Sequence, residues 1–385
     1  MKFIDLFAGI GGFHQALTSL GHECVFAAEI DKYACQTYEK NYHMNPYCDI
    51  SSVNVEDIPS HDILCAGFPC QSFSVAGYRK GFEDTTRGTL FFDVVRILKH
   101  HKPKYILLEN VKNLTTHDNG KTWEVIKNTL NEIGYRINHT PDIISPLELG
   151  IPQDRERVYI YGYYDPEHSY EDLNEKVLNE TLPIKSLNTI VCDDENADSY
   201  KISQYETEVL NIWEKFVQEM KKQNENISFQ VMPEYFQYDG DYEGMPDWKK
   251  VAIPRNIQLY EKHKEWLDEW LKEFNSYTFT NVAHKKLEWQ AGGYINSIWD
   301  GIISFRQSGI RIRKPITFPT LVAVVQTPIY GPKKRRLTPR EVGYLQSFDD
   351  SFVLCDNIHQ AYKQFGNSVN VEIVKKVAKK LFLLK

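Results

Sequence analysis

The chain has 385 residues, of which 42% are hydrophobic and 25% charged, and its formal net charge is −7. This length suits about two domains, each with its own core, and no stretch approaches the roughly 20 apolar residues of a transmembrane helix. Seven dispersed cysteines and the lack of an apolar signal segment argue against a secreted, disulfide-stabilised protein. We therefore expect a soluble protein in a reducing cytoplasm.

The first element is a strand over Phe3 to Phe7, followed by Ala8-Gly9-Ile10-Gly11-Gly12 and a helix that ends at Gly21. Glycines after a first strand let the backbone approach a ligand, and Glu29 closes the next strand about 20 residues on, where an acid can bind a ribose diol. The loop lacks GxGxxG, GK[ST] and any Lys or Arg, which favours a phosphate-free nucleoside such as S-adenosylmethionine. A tight strand-to-helix connection is the alternative.

The octapeptide GFPCQSFS at 67–74 follows a predicted strand over Ile63 to Ala66. Pro69 ends that strand and presents the thiol of Cys70 on a turn, as a nucleophile requires. Taken alone, Cys70 could equally be a small buried hydrophobic residue. The segment from Ser72 to Gly88 is long enough to act as a lid, or to be an ordered surface loop.

A second candidate catalytic side chain is the carboxylate of Glu109. It comes directly after the apolar run Tyr105 to Leu108 and is followed by Asn110 and Val111. A carboxylate at the carboxyl end of a buried strand faces the crevice in which open α/β sheets bind ligands. Glu109 and Cys70 therefore predict one pocket, although a capping or ion-paired role for Glu109 is the alternative.

The segment Gln153-Asp154-Arg155-Glu156-Arg157 leads into a strand over Val158 to Tyr161. Alternation at a strand start predicts both guanidiniums on one face, able to hold a base carbonyl or a phosphate. A surface ion-pair ladder is the alternative. Strands alternating with amphipathic segments up to about Tyr164 predict an α/β fold, with a mainly parallel sheet and helices on both faces.

The middle of the chain, from about Thr189 to Lys334, lacks this alternation. Tyr205 to Lys222 and Gln258 to Phe274 have the apolar spacing of helices. We expect Trp266 and Trp270 to pack in a small core rather than against a ligand.

Charge is unevenly distributed along the chain. Nine Lys or Arg residues and no acid lie between Gly301 and Arg340, whereas Asp165 to Glu180 contains six acids and one Lys. This predicts one basic face, which could bind nucleic acid or be a solvated surface.

Taken together, these motifs resemble those of the DNA cytosine-5 methyltransferases of bacterial restriction-modification systems, in the order of that family. The blocks are DLFAGIGGF at 5–13, GFPCQSFS at 67–74, ENV at 109–111, QDRER at 153–157, RRLTPRE at 335–341 and QFGNSV at 364–369. The resemblance implies a Rossmann-like, S-adenosylmethionine-dependent fold with a smaller target recognition domain. It covers the whole chain except a middle of roughly 150 residues.

The resemblance also implies the catalytic roles. Cys70 would add to carbon 6 of a cytosine swung out of duplex DNA. Glu109, either protonated or sharing a proton with the cytosine, would hydrogen-bond ring nitrogen 3 and the exocyclic amine. Arg155 and Arg157 would hold the base carbonyl. The base that removes the carbon 5 proton is not apparent from the sequence.

The cofactor site follows from the resemblance in the same way. Glu29 would bind the ribose and Ile30 would pack on the adenine, whose edge would contact Asp49 and Ile50. The other expected contacts are Phe7, Gly9, Gly11, Pro69, Leu90, Asn367 and Ser368. No metal is expected, because the His and Cys residues show no CxxC or HxxxH spacing. S-adenosylhomocysteine would be the product.

The resemblance further implies a catalytic domain at 1–188, a target recognition domain at 189–334, a hinge at 335–362 and a closing segment at 363–385. The candidate DNA contacts are Ser74, Arg306, Gln307, Arg311, Arg313 and Thr320. We expect a monomer acting on double-stranded DNA in a bacterial cytoplasm, without membrane attachment and with a cognate restriction endonuclease. An RNA (tRNA) cytosine-5 methyltransferase and a non-catalytic DNA-binding protein are the alternatives.

Overall fold

The computed structural model describes residues 1–69, 90–178, 181–192, 197–321 and 327–384. Its helices are α1 (Gly12–Thr18), α2 (Lys32–Tyr42), α3 (Leu90–His101), α4 (Lys121–Glu132), α5 (Gln204–Lys222), α6 (Asp247–Lys262), α7 (Lys264–Ser276), α8 (Pro339–Leu345), α9 (Ile358–Asn367) and α10 (Val371–Phe382). Its strands are β1 (Lys2–Leu6), β2 (Glu23–Ala28), β3 (Ile63–Ala66), β4 (Tyr105–Val111), β5 (Tyr135–Ile137), β6 (Asp142–Ile144), β7 (Gln153–Asp154), β8 (Arg157–Tyr164), β9 (Gln230–Val231), β10 (Leu287–Trp289), β11 (Ile302–Arg306), β12 (Gly309–Arg313), β13 (Phe318–Pro319), β14 (Ile329–Tyr330) and β15 (Arg335–Arg336).

The chain divides into two compact units. Unit 1 comprises Met1–Ser186, Thr320–Val325 and Pro339–Lys385, and unit 2 comprises Leu187–Pro319 and Gln326–Thr338. The boundaries predicted from the sequence are at 188 and 334. Unit 2 extends past 334 because β15 pairs with β14, so that the predicted hinge at 335–362 is shared between the units.

Unit 1 contains a seven-stranded sheet in the order β2-β1-β3-β4-β8-β5, with β6 also paired to β8. The pairs β1/β2, β1/β3 and β3/β4 are parallel, and β8 runs antiparallel to β4, β5 and β6. The four residues of β3 are fully buried, as expected for a central strand covered on both faces.

Successive side chains of a strand point to opposite faces, so the two layers of this sheet can be followed residue by residue. Ile4 of β1 and Ile106 of β4 share a core with Val94 of α3 and Ile126 of α4. On the other face, Phe3 of β1 contacts His14 of α1, and Tyr105 of β4 contacts Phe382 of α10, with ring centroids 5.7 and 5.2 Å apart. The predicted α/β fold with helices on both faces of the sheet is confirmed.

Unit 2 is built on a six-stranded sheet, in the order β15-β14-β11-β12-β10-β9, and on helices α5, α6 and α7. Its core contains Trp213, Phe216, Trp270 and Phe274. Trp266 stacks on Trp270 at a centroid distance of 6.2 Å. Both tryptophans therefore pack in or against this core, as predicted from the sequence.

The helix predicted over 258–274 is wrong in one respect, because α6 ends at Lys262 and α7 begins at Lys264. His263 between them has φ −122° and ψ 27°, which is outside the helical range. Its Nε2 atom lies 2.9 Å from the Glu225 carboxylate, and this contact is not visible in the apolar spacing.

No helix in the described part of the chain combines the length and apolar character that crossing a membrane requires. Within the same ranges, no three His, Cys, Asp or Glu side chains are grouped so as to hold a metal ion.

Candidate active site

A cavity of about 460 Å³ lies in unit 1 at the carboxyl ends of β1, β2, β3 and β4. This is the edge at which an open α/β sheet binds ligands. Its described lining includes these predicted residues: Phe7, Gly9, Glu29, Ile30, Asp49, Ile50, Pro69, Leu90, Glu109, Arg155, Arg157 and Asn367. Side chains from sequence-distant blocks therefore meet in one pocket.

The glycine-rich loop enters this cavity in an unusual backbone conformation. Phe7 and Gly9 have φ values of 55° and 54°, a left-handed region that is costly for most residues and open to glycine. The Gly9 N–H donates to Glu29 Oε2 at 2.8 Å. The loop after β1 is thereby joined to the carboxylate after β2.

Gly11 lies beside this cavity rather than in its described lining. It has φ 83°, and a Cβ there would come within 2.2 Å of the Tyr42 ring. The Tyr42 hydroxyl donates to the Gly11 carbonyl at 2.9 Å. Gly11 therefore permits the close approach of α2, which holds the loop in place.

Glu29 is held by a set of backbone donors. Its Oε1 accepts from the N–H groups of Ile30 and Asp31, both at 2.8 Å, in addition to the Gly9 contact of Oε2. Ile30 is 65% exposed, although it lines the cavity. The fixed carboxylate of Glu29 can accept hydrogen bonds from a hydroxylated ring. The exposed side chain of Ile30 can pack against an apolar face of the same ligand.

Asp49 and Ile50 form a short turn at the same rim. Asp49 Oδ1 accepts from the Ser51 N–H at 3.0 Å and from the Ser51 hydroxyl at 2.7 Å. Arg96 donates to the Ile50 carbonyl at 2.8 Å. The turn is therefore held from both sides.

At the C-terminal end of α9, Asn367 lines the cavity but Ser368 does not. The Ser368 hydroxyl donates to the Val369 carbonyl at 3.1 Å. A Cβ on Gly12 would lie 2.9 Å from the Ser368 Oγ. Ser368 therefore packs beneath the start of α1.

Lys363 also lines the cavity, although no motif in the sequence points to it. Its Nζ lies 2.6 Å from Asp31 Oδ2, while Asp31 Oδ1 caps α2. The N-cap position of Asp31 could be read from the sequence. Its pairing with a residue of α9 could not, because 332 residues separate the two.

Glu109 and Arg157 form the charged centre of the pocket. Arg157 Nε lies 3.2 Å from Glu109 Oε1, and Glu109 is 8% exposed. Burial raises the pKa of Glu109, while the charges of Arg157 and Arg155 oppose that rise. Burial disfavours the ionised form, and this effect outweighs that of the two arginines, so the pKa of the carboxyl is raised.

Asn110, next in the chain, connects β4 to the turn after β3. Its Nδ2 donates to the Phe68 carbonyl at 2.8 Å and its Oδ1 accepts from the Val111 N–H at 2.8 Å.

Cys70 itself, Ser74 and the predicted lid from Ser72 to Gly88 lie outside the described residues.

Arg155 occupies a different environment from Arg157, contrary to the prediction that both guanidiniums share one strand face. β8 begins only at Arg157, so no continuous strand alternation relates the two. Arg155 is 2% exposed and donates to three backbone carbonyls: Leu321 at 3.2 Å, Gly366 at 2.9 Å and Ser368 at 2.8 Å. Burial, followed by the charge of Arg157, lowers its pKa to about 9.

Of the predicted DNA contacts that the structure describes, four lie on the β11–β12 hairpin and Thr320 lies in unit 1. Arg306 ends β11 and Gln307 lies in the exposed turn before β12. Arg311 Nη2 lies 2.6 Å from Glu288 Oε2, and Arg313 ends β12. Thr320 belongs to unit 1, where its hydroxyl donates to the Asp154 carbonyl at 2.6 Å.

Residues 1–383 match the family of C-5 cytosine-specific DNA methylases. The chain belongs to this family. The DNA methylase is 36% identical over 378 residues to the type II methyltransferase M.HhaI of Haemophilus parahaemolyticus, covering 98% of this chain and 93% of that protein. It is also 36% identical over 382 residues to M.HpaII of Haemophilus parainfluenzae, covering 98% and 88%.

Among solved structures, the methylase resembles a DNMT2 variant of Spodoptera frugiperda. The TM-score is 0.55 at 19% identity, with 99% of each chain covered. This likeness concerns the fold alone. Family membership assigns the chain DNA cytosine-5 methyltransferase activity, favours this activity over RNA methylation, and implies the S-adenosylmethionine that such methylases use.

Proposed function

We propose that this methylase modifies one short DNA site and protects it in a restriction-modification system, using Cys70 as the nucleophile. The observation that carries the site assignment is the Glu109–Arg157 pair, held 3.2 Å apart in the cavity that Glu29 and Ile30 also line. The type II methyltransferases to which the chain is similar support the biological role.

The proposed chemistry begins at carbon 6 of a cytosine taken out of the duplex, since carbon 6 cannot be reached in the stack. The Cys70 thiolate forms a bond to carbon 6, and the ring electrons move toward nitrogen 3. Protonated Glu109 donates to nitrogen 3 and Arg157 donates to the base carbonyl oxygen, which stabilises the charge formed there. Carbon 5 thereby becomes nucleophilic.

When bound, S-adenosylmethionine supplies the electrophilic methyl group and leaves as S-adenosylhomocysteine. Carbon 5 then carries both the methyl group and its original proton. A base removes that proton, the electron pair re-forms the double bond between carbons 5 and 6, and Cys70 is released as a thiolate. Atoms and electrons balance in this reaction without a metal or an oxidant.

The cavity residues fit such a cofactor. Glu29 keeps about one acceptor site, on Oε2, for a ribose hydroxyl, because a carboxylate has about four lone-pair sites and three of them accept from backbone N–H groups. Ile30 offers an apolar surface to the adenine, and Asp49 and Ile50 lie at the same rim. The volume of about 460 Å³ falls in the range of about 300 to 1,000 Å³ typical of small-molecule sites.

For the DNA interface we propose the exposed turn between β11 and β12. Among the described residues, the exposed side chains of Arg306 and Gln307 have no hydrogen-bond or ion-pair partner, so both can reach a base edge or a phosphate. Arg311 is the weaker candidate because it is paired with Glu288. We further expect that the protein acts as a monomer and that a companion endonuclease shares its site.

The test is bisulfite sequencing of plasmid DNA from a host lacking cytosine methylation, expressing either the wild-type chain or Cys70→Ala. Protected cytosines in one short motif, absent with the variant, would establish the reaction and the site together. Uniform conversion with both soluble, folded proteins would reject the proposal. Parallel assays with tRNA would then test the RNA alternative, and trapping on duplexes containing 5-fluorocytosine would identify a binding protein that forms no adduct.

A further inference from the structure

Arg155 joins two segments that are far from it in the sequence. It donates to the carbonyl of Leu321 and to the carbonyls of Gly366 and Ser368. All of these residues belong to unit 1. Because Arg155 is 2% exposed, little water is available to replace any bond that is lost.

The Thr320–Leu321 segment is held a second time by the residue before Arg155. The Thr320 hydroxyl donates to the Asp154 carbonyl at 2.6 Å. Thr320 directly follows Pro319, the last residue of the long unit 2 segment. Asp154 and Arg155 therefore fix the point at which the chain returns to unit 1.

The other segment belongs to the cofactor cavity. Gly366 and Asn367 line it, and the carbonyls of Gly366 and Ser368 lie on either side of Asn367. A planar guanidinium can satisfy several fixed acceptors at once, whereas an ammonium is a compact charge with different geometry. Arg155 is thus suited to holding both segments in one arrangement.

We propose that Arg155 is a positioning residue that couples DNA binding to cofactor binding, by linking the Thr320–Leu321 segment to the Gly366–Ser368 segment. This inference rests on the proposed function, in which unit 2 contacts DNA and the cavity binds S-adenosylmethionine. Arg157 alone then holds the base carbonyl. Coupling is reciprocal, so each ligand tightens the binding of the other by the same factor.

The experiment measures the dissociation constant of S-adenosylhomocysteine by isothermal titration, with and without a saturating duplex containing the identified site. The wild-type ratio of the two constants should be about fivefold or more, a typical size for coupling between sites. In Arg155→Lys the ratio should fall toward one, whatever change the variant makes to the dissociation constant measured without DNA.

Arg340→Lys is the matched control, because Arg340 donates to the backbone carbonyls of Asp349 and Phe352, both at 2.9 Å. Its ratio should equal that of the wild type. Thr320→Val removes only the bond to Asp154 and should lower the ratio less than Arg155→Lys does. This variant provides the test if Arg155→Lys does not fold.

A wild-type ratio near one would overturn the inference, and so would an unchanged ratio in folded Arg155→Lys. In the second case, a fall in kcat at saturating substrates would instead indicate direct contact with the base. A wild-type protein that binds neither S-adenosylhomocysteine nor DNA would overturn the proposed function itself. That result is distinguishable, because it would be seen before any variant is compared.

Discussion

The Asn110 side chain donates to the Phe68 carbonyl at 2.8 Å, and thereby ties the end of β4 to the turn that follows β3. Asn110 and Phe68 are each 2% exposed. Glu109 precedes the donor and Cys70 comes two residues after the acceptor in the sequence. This bond therefore relates the backbone segments that carry the two principal catalytic candidates.

Asn110→Ala should slow covalent capture of duplexes containing 5-fluorocytosine by about 10- to 100-fold, since small misplacements of reacting groups carry costs of this size. It should also lower the free energy of unfolding by about 1–3 kcal/mol, because the Phe68 carbonyl loses its buried partner. Rapid-quench trapping and urea unfolding would measure both effects. Asn41→Ala, which removes side-chain bonds to Thr37 and Val353, should leave capture unchanged.

Glu109→Gln should lower kcat by about 10²- to 10⁴-fold, the usual contribution of a positioned acid. Glutamine can donate a hydrogen bond to nitrogen 3 but cannot share a proton with the cytosine ring. The dissociation constant of S-adenosylhomocysteine without DNA should stay within about twofold. Retention of wild-type kcat would remove Glu109 from the mechanism.

The same carboxyl should make stability depend on pH. Burial raises the pKa of Glu109 above its ordinary value of 4.5, so the folded state binds this proton more tightly than the unfolded state. Its contribution to the free energy of unfolding is complete below about pH 4.5 and is lost as pH rises through the raised pKa. Urea unfolding of wild type and Glu109→Gln from about pH 4 to 8 should show that loss only in the wild type.

Glu29→Gln should weaken S-adenosylhomocysteine binding by about 10- to 100-fold, as expected when a charge-assisted hydrogen bond is lost. The carboxylate accepts from three backbone N–H groups, so an amide nitrogen at either oxygen would face a donor. Isothermal titration would measure the change. Glu23→Gln, at the exposed start of β2, should bind like the wild type.

Arg306→Ala should weaken binding to the recognised duplex. If Arg306 contacts a base, discrimination at one position of the site should relax by about 1–3 kcal/mol; if it contacts a phosphate, the salt slope should fall by about one. Fluorescence anisotropy at several salt concentrations would separate the two. Lys272→Ala, which removes an exposed cation of α7, should change neither quantity, and equal behaviour of both variants would exclude this turn from the interface.

The site could be predicted from the sequence where a carboxylate directly follows a short apolar strand. The runs before Glu29 and Glu109 are short, apolar and bounded by polar residues, so the sheet edge and the pocket could be predicted from them. Long-range partners could not: Arg155 bonds to residues 166, 211 and 213 positions away. Its identity as arginine gives no signal that backbone carbonyls are its acceptors. The contact between Gly11 and Tyr42 could not be predicted either, because a glycine permits the close approach of a ligand or of a neighbouring ring, and the sequence does not distinguish the two.

The order of the units along the chain affects how the protein is synthesised. Phe382 contacts both His22 and Tyr105, at centroid distances of 5.0 and 5.2 Å, so unit 1 cannot close until that residue has left the ribosome. All of unit 2 has been translated by Thr338. Since domains generally fold as units during synthesis, unit 2 can be completed first, and the cofactor cavity gains its last lining residues only when α9 emerges.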